Sequence, residues 1–270
     1  MFQLAANITF LFAERPFLER FEAAKAAGFD CVECHWPYEH PVEDIAAALE
    51  RSLVRLTGIN TPPGDTPPGD TQAGELGLAA VPGREEEFQR GFDLALSYAK
   101  ALGVRMIHVM AGNVSEEARD GAFDTFVANL RIAADKVGSS GITLLIEPLN
   151  TIDRPTYFLT SVEQAVEVLD AVGSERIKLL FDIYHVQLQQ GNIVNRLERY
   201  WNRIGHIQIA AVPDRGEPDT GEINYSYVMQ RLVMKDYRGL VAAEYQPRDT
   251  TEAGMSWAWQ YGLGRTGNPE

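Results

Sequence analysis

Short runs of apolar residues alternate with amphipathic segments along the whole chain. Strands buried on both faces of a parallel sheet show continuous apolar runs, whereas crossover helices show an apolar stripe with a period near 3.6 residues. The alternation predicts eight βα units. Strands are predicted near residues 3–9, 30–36, 55–60, 104–110, 142–147, 177–182, 206–211 and 239–245. Helices are predicted near 14–27, 41–53, 84–102, 119–138, 161–172, 187–203, 224–236 and 249–261.

The third predicted helix shows the pattern clearly. Its apolar stripe contains Phe88, Phe92, Leu96 and Ala99, and Gly103 follows as a helix stop. Eight such repeats favour a closed (β/α)8 TIM barrel, and the 270 residues are close to the usual length of ~250 for this fold. No linker or change of composition divides the chain, so we predict one barrel domain over 1–270.

One low-complexity segment interrupts this order. The sequence TPPGD occurs twice in tandem, at 61–65 and 66–70, directly after the third predicted strand. Its Pro, Gly and Asp content predicts a turn-rich loop, and a surface loop absorbs a short duplication at small entropic cost. The alternative is a lid, because the loop follows the carboxyl end of a barrel strand.

Charge and hydropathy restrict the partners. A net charge of −14 and a pI near 4.8 disfavour a surface that binds nucleic-acid phosphates or anionic membranes. No apolar stretch approaches the ~18 residues that span a bilayer, and the first residues lack the basic and small-residue features of a signal peptide. We therefore expect a cytoplasmic protein with a small-molecule partner, without nucleic-acid or membrane partners.

The two cysteines, Cys31 and Cys34, form a CxxC sequence. They fall on a predicted strand, where positions i and i+3 point to opposite faces. No second cysteine pair is present to complete a typical zinc site. We interpret both as reduced, unpaired thiols.

Three apolar strands each end on an acid. Glu147 ends ITLLIE, Asp182 ends KLLFD, and Glu244 follows LVAA. The carboxyl ends of barrel strands converge on one pocket, and buried carboxylates need a compensating charge. With Gln208 on the seventh strand, they predict an oxygen-rich site for a divalent cation such as Mg²⁺ or Mn²⁺. The alternative for each single acid is a helix cap or an arginine pair.

Other polar residues near the strand ends are candidate substrate contacts. Arg215 suits an anionic substrate, because its planar guanidinium matches a carboxylate; the alternative is a solvated loop charge. His185 and Glu217 lie within reach of the same pocket. His108 is either a substrate contact or a core histidine, and His206 is a candidate for supporting the ligand Gln208.

Motifs along nearly the whole chain resemble the hydroxypyruvate isomerase family, within the xylose isomerase-like barrels. They are PFLERFEAAKAAGFDCVE, PPGD, VPGREEEF, HVMAG, ITLLIEPLN, FDIYHVQ, IGHIQIA, EPDTGEINY and EYQP followed by TEAG. The resemblance implies that Glu147 and Glu244 bind a metal ion and exchange the substrate proton. It implies that Asp182 and Gln208 are the remaining ligands. Arg215, Glu217 and His185 match substrate-side positions of related barrels.

The implied activity is the interconversion of hydroxypyruvate and tartronate semialdehyde (2-hydroxy-3-oxopropanoate) through a metal-stabilised cis-enediolate, in glyoxylate and carbohydrate-acid metabolism. Ala211 and Gly216 stand where many relatives have an acid and a histidine, which leaves the substrate open. The alternatives are a 2-oxotetronate isomerase and a ketose 3-epimerase with the same chemistry. A remote alternative is a phosphodiesterase like endonuclease IV. A homo-oligomer is also left open.

Overall fold

A computed structural model describes residues 2–64 and 74–263. Eight strands form a closed barrel in sequence order, as the (β/α)8 prediction requires. The strands are β1 Gln3–Asn7, β2 Cys31–Cys34, β3 Arg55–Asn60, β4 Met106–His108, β5 Thr143–Ile146, β6 Ile177–Asp182, β7 Ile204–Ile209 and β8 Leu240–Ala243. The predicted fold class is confirmed. The second TPPGD copy, at 66–70, lies outside the described residues, so the loop and lid interpretations both stay predictions.

Helices follow the strands. They are α1 Arg20–Ala26, α2 Val42–Ser52, α3 Glu85–Leu102, α4 Arg119–Val137, α5 Val162–Val172, α6 Ile183–Gln189, α7 Ile193–Arg199, α8 Tyr225–Met234 and α9 Ser256–Trp259. Short 3₁₀ turns occur at Phe17–Glu19, Glu116–Ala118, Trp201–Arg203 and Glu252–Gly254. Gly103 ends α3 in the left-handed conformation, with φ of 70°, as its sequence position predicts.

The helix predicted over 187–203 is divided in two and begins earlier than predicted. The chain passes through the left-handed region at Gly191, with φ of 61°, and at Asn192, with φ of 53°, which ends α6 and starts α7. Asp182 starts α6 early, because its side chain accepts a hydrogen bond from the backbone N–H of Tyr184. The helix therefore follows β6 without a loop.

The described residues pack as two compact units. The terminal unit contains 2–57 and 207–263, and the central unit contains 58–64 and 74–206. Ala5, Cys31 and Ala242 form a fully buried apolar cluster in the terminal unit. In the central unit, the rings of Phe126 and Phe158 pack edge to face, with centroids 6.0 Å apart. A single domain over 1–270 stays a prediction.

Both cysteines are buried and unpaired, as predicted. Burial raises the pKa of the Cys34 thiol, and the negative charge of Glu33 raises it further. Burial also raises the pKa of Cys31. Such thiols stay protonated at neutral pH and are poor nucleophiles and poor metal ligands. Among the helices in the described ranges, none is long and apolar enough to cross a membrane.

Candidate active site

Each unit carries one group of buried polar side chains at or just beyond the carboxyl ends of its strands. In the terminal unit the group contains Asn7, Glu33, Gln208 and Glu244, which we call the acid–amide cluster. In the central unit it contains His108, Glu147, Asp182 and His185, which we call the acid–histidine cluster. All eight side chains are buried. Barrel strands of this kind deliver their last residues to the catalytic end of the fold.

Strand register brings the acid–amide cluster together. Asn7, the last residue of β1, pairs with Glu33 of β2. On the other side of β1, Ala6 pairs with Ala243, directly before Glu244. Asn7 is therefore placed between two acids, and its amide N–H groups donate to Glu33 Oε1 at 3.1 Å and to Glu244 Oε2 at 2.9 Å.

The same two carboxylates fix the orientation of Gln208. Its Nε2 donates to Glu33 Oε1 at 2.7 Å and also to Glu244 Oε2. Because ionised carboxylates only accept hydrogen bonds, the NH₂ group must face the acids and the amide oxygen must point away from them. That oxygen, Oε1, is buried and has no hydrogen-bond partner among the described residues. A buried amide oxygen in this position is suited to coordinate a cation.

Arg215 contacts the second oxygen of Glu244. Its Nη2 donates to Oε1 at 2.7 Å, and His35 Nε2 lies 3.4 Å from the same oxygen. The guanidinium carbon lies 4.9 Å from the centre of the Phe10 ring, within the range of a cation–π contact. The backbone at Arg215 is left-handed, with φ of 54°, and its carbonyl accepts from Gln246 N at 2.8 Å. The loop after β7 is thus held against the end of β8, with Arg215 on the acid–amide cluster.

Glu217 is fully engaged by the segment after β8. Its Oε1 accepts from the backbone N–H of Arg248 at 3.0 Å, and its Oε2 accepts from Arg248 Nε at 2.6 Å. The side chain is buried, whereas that of Arg248 is half exposed. These contacts support a role in holding the two loops together. A substrate contact by Glu217 stays a prediction.

In the acid–histidine cluster, Glu147 lies beside His108. The residue follows β5 directly, and its Oε2 lies 3.6 Å from His108 Nδ1. His108 ends β4 and pairs in register with Leu145 of β5, which explains the approach. Tyr157 is buried nearby, and its pKa is raised, first by burial and then by the negative charge of Glu147. Its hydroxyl oxygen also accepts from Ala111 N at 2.9 Å, which fixes the position of the phenol.

The two carboxylate oxygens of Asp182 have different contacts. Oδ1 accepts from Tyr184 N at 2.8 Å and caps α6, whereas Oδ2 lies 3.7 Å from His185 Nε2. One ligand atom from each of Glu147, Asp182 and His185 lies within 4.8 Å of the other two. Two buried carboxylates so close together require a neutralising charge.

Each cluster, taken by itself, offers donor atoms of the kinds that hard divalent cations bind. Glu147 and Asp182 offer carboxylate oxygens in one cluster, and Gln208 offers an amide oxygen in the other. Mg²⁺ and Mn²⁺ prefer oxygen ligands of these types. His185 Nδ1 lies 3.2 Å from the backbone nitrogen of Asn150, and Nε2 is the ring nitrogen on the side of Asp182.

Sequence reasoning missed two members of these clusters, Asn7 and Glu33, and one neighbour of His185, Asn150. Asn7 and Glu33 end or nearly end apolar strands, as Glu147 and Asp182 do, so the same pattern could have identified them. Asn150 is the last residue of the ITLLIEPLN motif, but its contact with His185 depends on the tertiary structure. His206 is buried in β7 and stays a candidate supporting group.

Comparison with known proteins gives consistent matches over nearly the whole chain. The model of the xylose isomerase-like TIM barrel family matches residues 21–261. Hydroxypyruvate isomerase of Escherichia coli (strain K12) is 42% identical, over 97% of this chain and 100% of that protein. The 2-oxo-tetronate isomerase of Haemophilus influenzae is 41% identical, over 96% of this chain and 99% of that protein.

A solved structure matches equally well. A crystal structure described as AP endonuclease, family 2, from Brucella melitensis is 42% identical, with a TM-score of 0.91, over 97% of this chain and 99% of that chain. Because the family model and these relatives cover almost all of the sequence, the chain belongs to the hydroxypyruvate isomerase family within the xylose isomerase-like TIM barrels and is an isomerase.

Proposed function

We propose that the protein interconverts hydroxypyruvate and tartronate semialdehyde. The observation that carries this proposal is the buried group of Glu147, Asp182 and His185 at the ends of two barrel strands, in a chain 42% identical to a hydroxypyruvate isomerase. An isomerisation that moves a proton between adjacent carbons needs a positioned base and an electrophile. A buried carboxylate can act as the base, and a bound cation can act as the electrophile.

Within this proposal, Glu147, Asp182, Gln208 and Glu244 hold one Mg²⁺ or Mn²⁺ ion. The support is that all four stand at or next to the carboxyl ends of strands in a closed parallel barrel, where such ends face a common pocket. The orientation of the Gln208 amide, with its oxygen turned away from the acids, also fits this role. When bound, the cation supplies an electrophile that acidifies the substrate proton beside the carbonyl.

The two glutamates carry the proton in this mechanism. One carboxylate removes a proton from C3 of hydroxypyruvate, which gives a cis-enediolate. A carboxyl group then returns a proton at C2, while the hydroxyl proton on the C3 oxygen passes to the C2 oxygen, which gives tartronate semialdehyde. Each glutamate must keep an oxygen free for this work. In the structure Arg215 donates a hydrogen bond to Glu244 Oε1. Arg215 must therefore shift toward the substrate carboxylate before Glu244 can accept a proton on that oxygen.

Glu33→Gln should weaken metal binding. The Glu33 carboxylate can only accept, so it binds the NH₂ group of Gln208. A glutamine at position 33 could instead donate to the amide oxygen of Gln208, and the Gln208 amide could then rotate by 180°. Loss of such a supporting partner typically costs ~10–100-fold in metal affinity. Titration calorimetry with Mn²⁺ measures it. Glu22→Gln, which removes the same charge from a surface pair with Arg51, is the matched control and should bind Mn²⁺ normally. Equal affinities of the two variants would contradict the role of Glu33.

Arg215→Lys should raise KM for 2-oxo acids. We propose that the guanidinium binds the substrate carboxylate through two N–H groups, and an ammonium group cannot reproduce that geometry. Loss of one charge-assisted hydrogen bond, about 1.5–3 kcal/mol, corresponds to a KM increase of ~10–100-fold. Steady-state kinetics checks it, with Arg51→Lys as the control on the surface. An unchanged KM for Arg215→Lys would reject the assignment.

A four-carbon 2-oxo acid is the second candidate substrate, because the chain is 41% identical to a 2-oxo-tetronate isomerase. The chemistry is the same and the substrate is one carbon longer. Parallel assays of kcat/KM with hydroxypyruvate, 2-oxotetronate and free ketohexoses distinguish the two acids from each other and from ketose 3-epimerisation. The proposal requires the highest kcat/KM with hydroxypyruvate. A higher value with 2-oxotetronate or with a ketose would reassign the substrate.

The crystal structure described as an AP endonuclease raises a phosphodiesterase alternative. An endonuclease of the endonuclease IV type needs a histidine-rich site for three zinc ions, whereas this chain has five histidines in total. The close ligand group in the central unit contains two carboxylates and one histidine. Incubation with abasic-site DNA and Zn²⁺ tests the alternative, and we expect no cleavage. The acidic net charge also disfavours nucleic-acid and membrane partners, and we propose a cytoplasmic enzyme that acts on small acids.

A further inference from the structure

Asn150 is fully buried at the end of the ITLLIEPLN motif, and its amide orientation is fixed by Asp153. The Oδ1 atom of Asn150 accepts from the backbone N–H of Asp153 at 2.9 Å. The Nδ2 atom donates to Asp153 Oδ2 at 3.0 Å. Tyr184 also donates its hydroxyl to that oxygen, at 2.8 Å, which keeps Asp153 as an acceptor. The NH₂ group of Asn150 is therefore distinguished from its oxygen by two independent contacts.

This NH₂ group faces His185. Asn150 Nδ2 lies 2.7 Å from His185 Nδ1, and the backbone N–H of Asn150 donates to the same nitrogen at 3.2 Å. Both groups are donors, so Nδ1 must be an acceptor without a proton. The ring proton then resides on Nε2. Asn150 thus sets the tautomer of His185 through two donors from a single residue.

The protonated nitrogen is on the acid side of the ring. His185 Nε2 lies 3.7 Å from Asp182 Oδ2, too far for a direct hydrogen bond but close enough to reach a small ligand beside Asp182. In the opposite tautomer, Nε2 would present a lone pair to the carboxylates, which disfavours that arrangement electrostatically. A fixed N–H at this point can stabilise an oxygen on which negative charge develops.

We propose that Asn150, oriented by Asp153 and Tyr184, is a positioning residue that holds His185 in the Nε2–H form, so that His185 donates a hydrogen bond to a substrate oxygen. The donation to substrate rests on the proposed isomerase function, whereas the tautomer itself does not. Asn150 also holds its own loop, because its carbonyl accepts from Arg154 N at 3.1 Å. The test must therefore separate tautomer control from loop stability.

The test uses the full chain with ¹⁵N-labelled histidine and long-range proton–nitrogen correlation spectra, which distinguish the two neutral tautomers of each ring. The signal of His185 is assigned from its absence in His185→Gln. We expect the wild-type ring in the Nε2–H form. A double variant, Asn150→Asp with Asp153→Asn, keeps the paired side chains but places a carboxylate oxygen on Nδ1. It should shift the ring toward the Nδ1–H form.

Gln189→Ala is the matched control for the loop. Gln189 Oε1 accepts from both N and Oγ1 of Thr151, at 2.9 and 3.0 Å, and truncation of this side chain leaves the contacts between Asn150 and His185 in place. This variant should retain the wild-type tautomer and kcat, whereas the double variant should lose ~10²–10³-fold in kcat, the usual cost of one donor to a developing oxyanion. A wild-type ring in the Nδ1–H form would overturn the proposal even if the double variant does not fold.

Two further outcomes separate this inference from the function on which it rests. A double variant with the reversed tautomer and unchanged kcat would show that His185 does not act as the donor, although the isomerase function would stand. A wild-type ring in the Nε2–H form together with no turnover of any 2-oxo acid would reject the proposed function and leave the tautomer assignment in place.

Discussion

Replacement of Glu147 or Glu244 with Gln is expected to lower kcat by ~10²–10⁴-fold, the usual contribution of general acid–base catalysis. Glutamine keeps an oxygen that can contact a cation but cannot accept a proton from carbon. Each variant should therefore retain part of its metal affinity while losing turnover. Both acids are buried at strand ends. Because glutamine has nearly the same shape as glutamate, the substitutions remove the charge with little change of volume.

The measurement pairs metal content with single-turnover rates of hydroxypyruvate isomerisation. Glu163→Gln is the control, because Glu163 contacts Arg196 of α7 and Gln190, and neither residue belongs to either cluster. It should turn over at the wild-type rate. If either strand-end variant, with metal bound, matches the wild-type rate, that glutamate is only a ligand and the two-glutamate mechanism fails.

Asp182→Asn is expected to lower metal affinity by on the order of 10²-fold or more, since loss of even a supporting partner costs ~10–100-fold. The variant should unfold no more easily than the wild type, because asparagine also caps helices and can accept from Tyr184 N. Asp182→Ala removes the cap together with the ligand. It should lose about 1 kcal/mol of unfolding free energy in addition to its metal affinity.

Titration calorimetry with Mn²⁺ and denaturant unfolding of the metal-free protein distinguish these effects. Ser161→Ala is the control for the cap alone, because Ser161 accepts from Gln164 N at the start of α5 and lies on a different helix. It should lose stability and keep its metal affinity. Metal affinity of Asp182→Asn equal to that of the wild type would remove Asp182 from the ligand set.

The barrel could be predicted from the sequence because each of its elements has a strong local signal. Continuous apolar runs mark the buried strands, and the stripe of α3 with Gly103 after it marks a helix and its end. The break at Gly191 and Asn192 was missed, although a Gly–Asn pair is a common turn signal. The apolar periodicity on both sides of the break led to the prediction of one continuous helix there.

The candidate site was only partly predictable, since acids at strand ends are visible in sequence but their partners are not. Glu147 and Asp182 were expected to lie close together, and they do. Their joint role with Gln208 and Glu244 as ligands stays a prediction. The contact between Glu33 and Gln208 joins residues 175 positions apart, and no local pattern encodes it. Such contacts follow from barrel closure, which the sequence predicts only as a fold class.

Arg215 shows the same limit at a loop. Its charge and its position after β7 suggested a substrate contact, but its contact with Glu244 depends on a left-handed backbone that the sequence does not signal. Non-glycine residues rarely adopt this conformation, and they do so where surrounding contacts enforce it. Here the hydrogen bond from Gln246 N to the Arg215 carbonyl supplies such a contact.

The central claim is that buried glutamates move a proton between adjacent carbons of a 2-oxo acid with the help of a divalent cation. Proton NMR of hydroxypyruvate with enzyme in D₂O, with Mg²⁺ or Mn²⁺ and after chelation, tests it most directly. The claim predicts formation of tartronate semialdehyde, deuterium incorporation at the exchanging carbons, and loss of both after chelation. Isomerisation or exchange that persists at the same rate without the cation, or no reaction of metal-loaded enzyme with hydroxypyruvate, would contradict it.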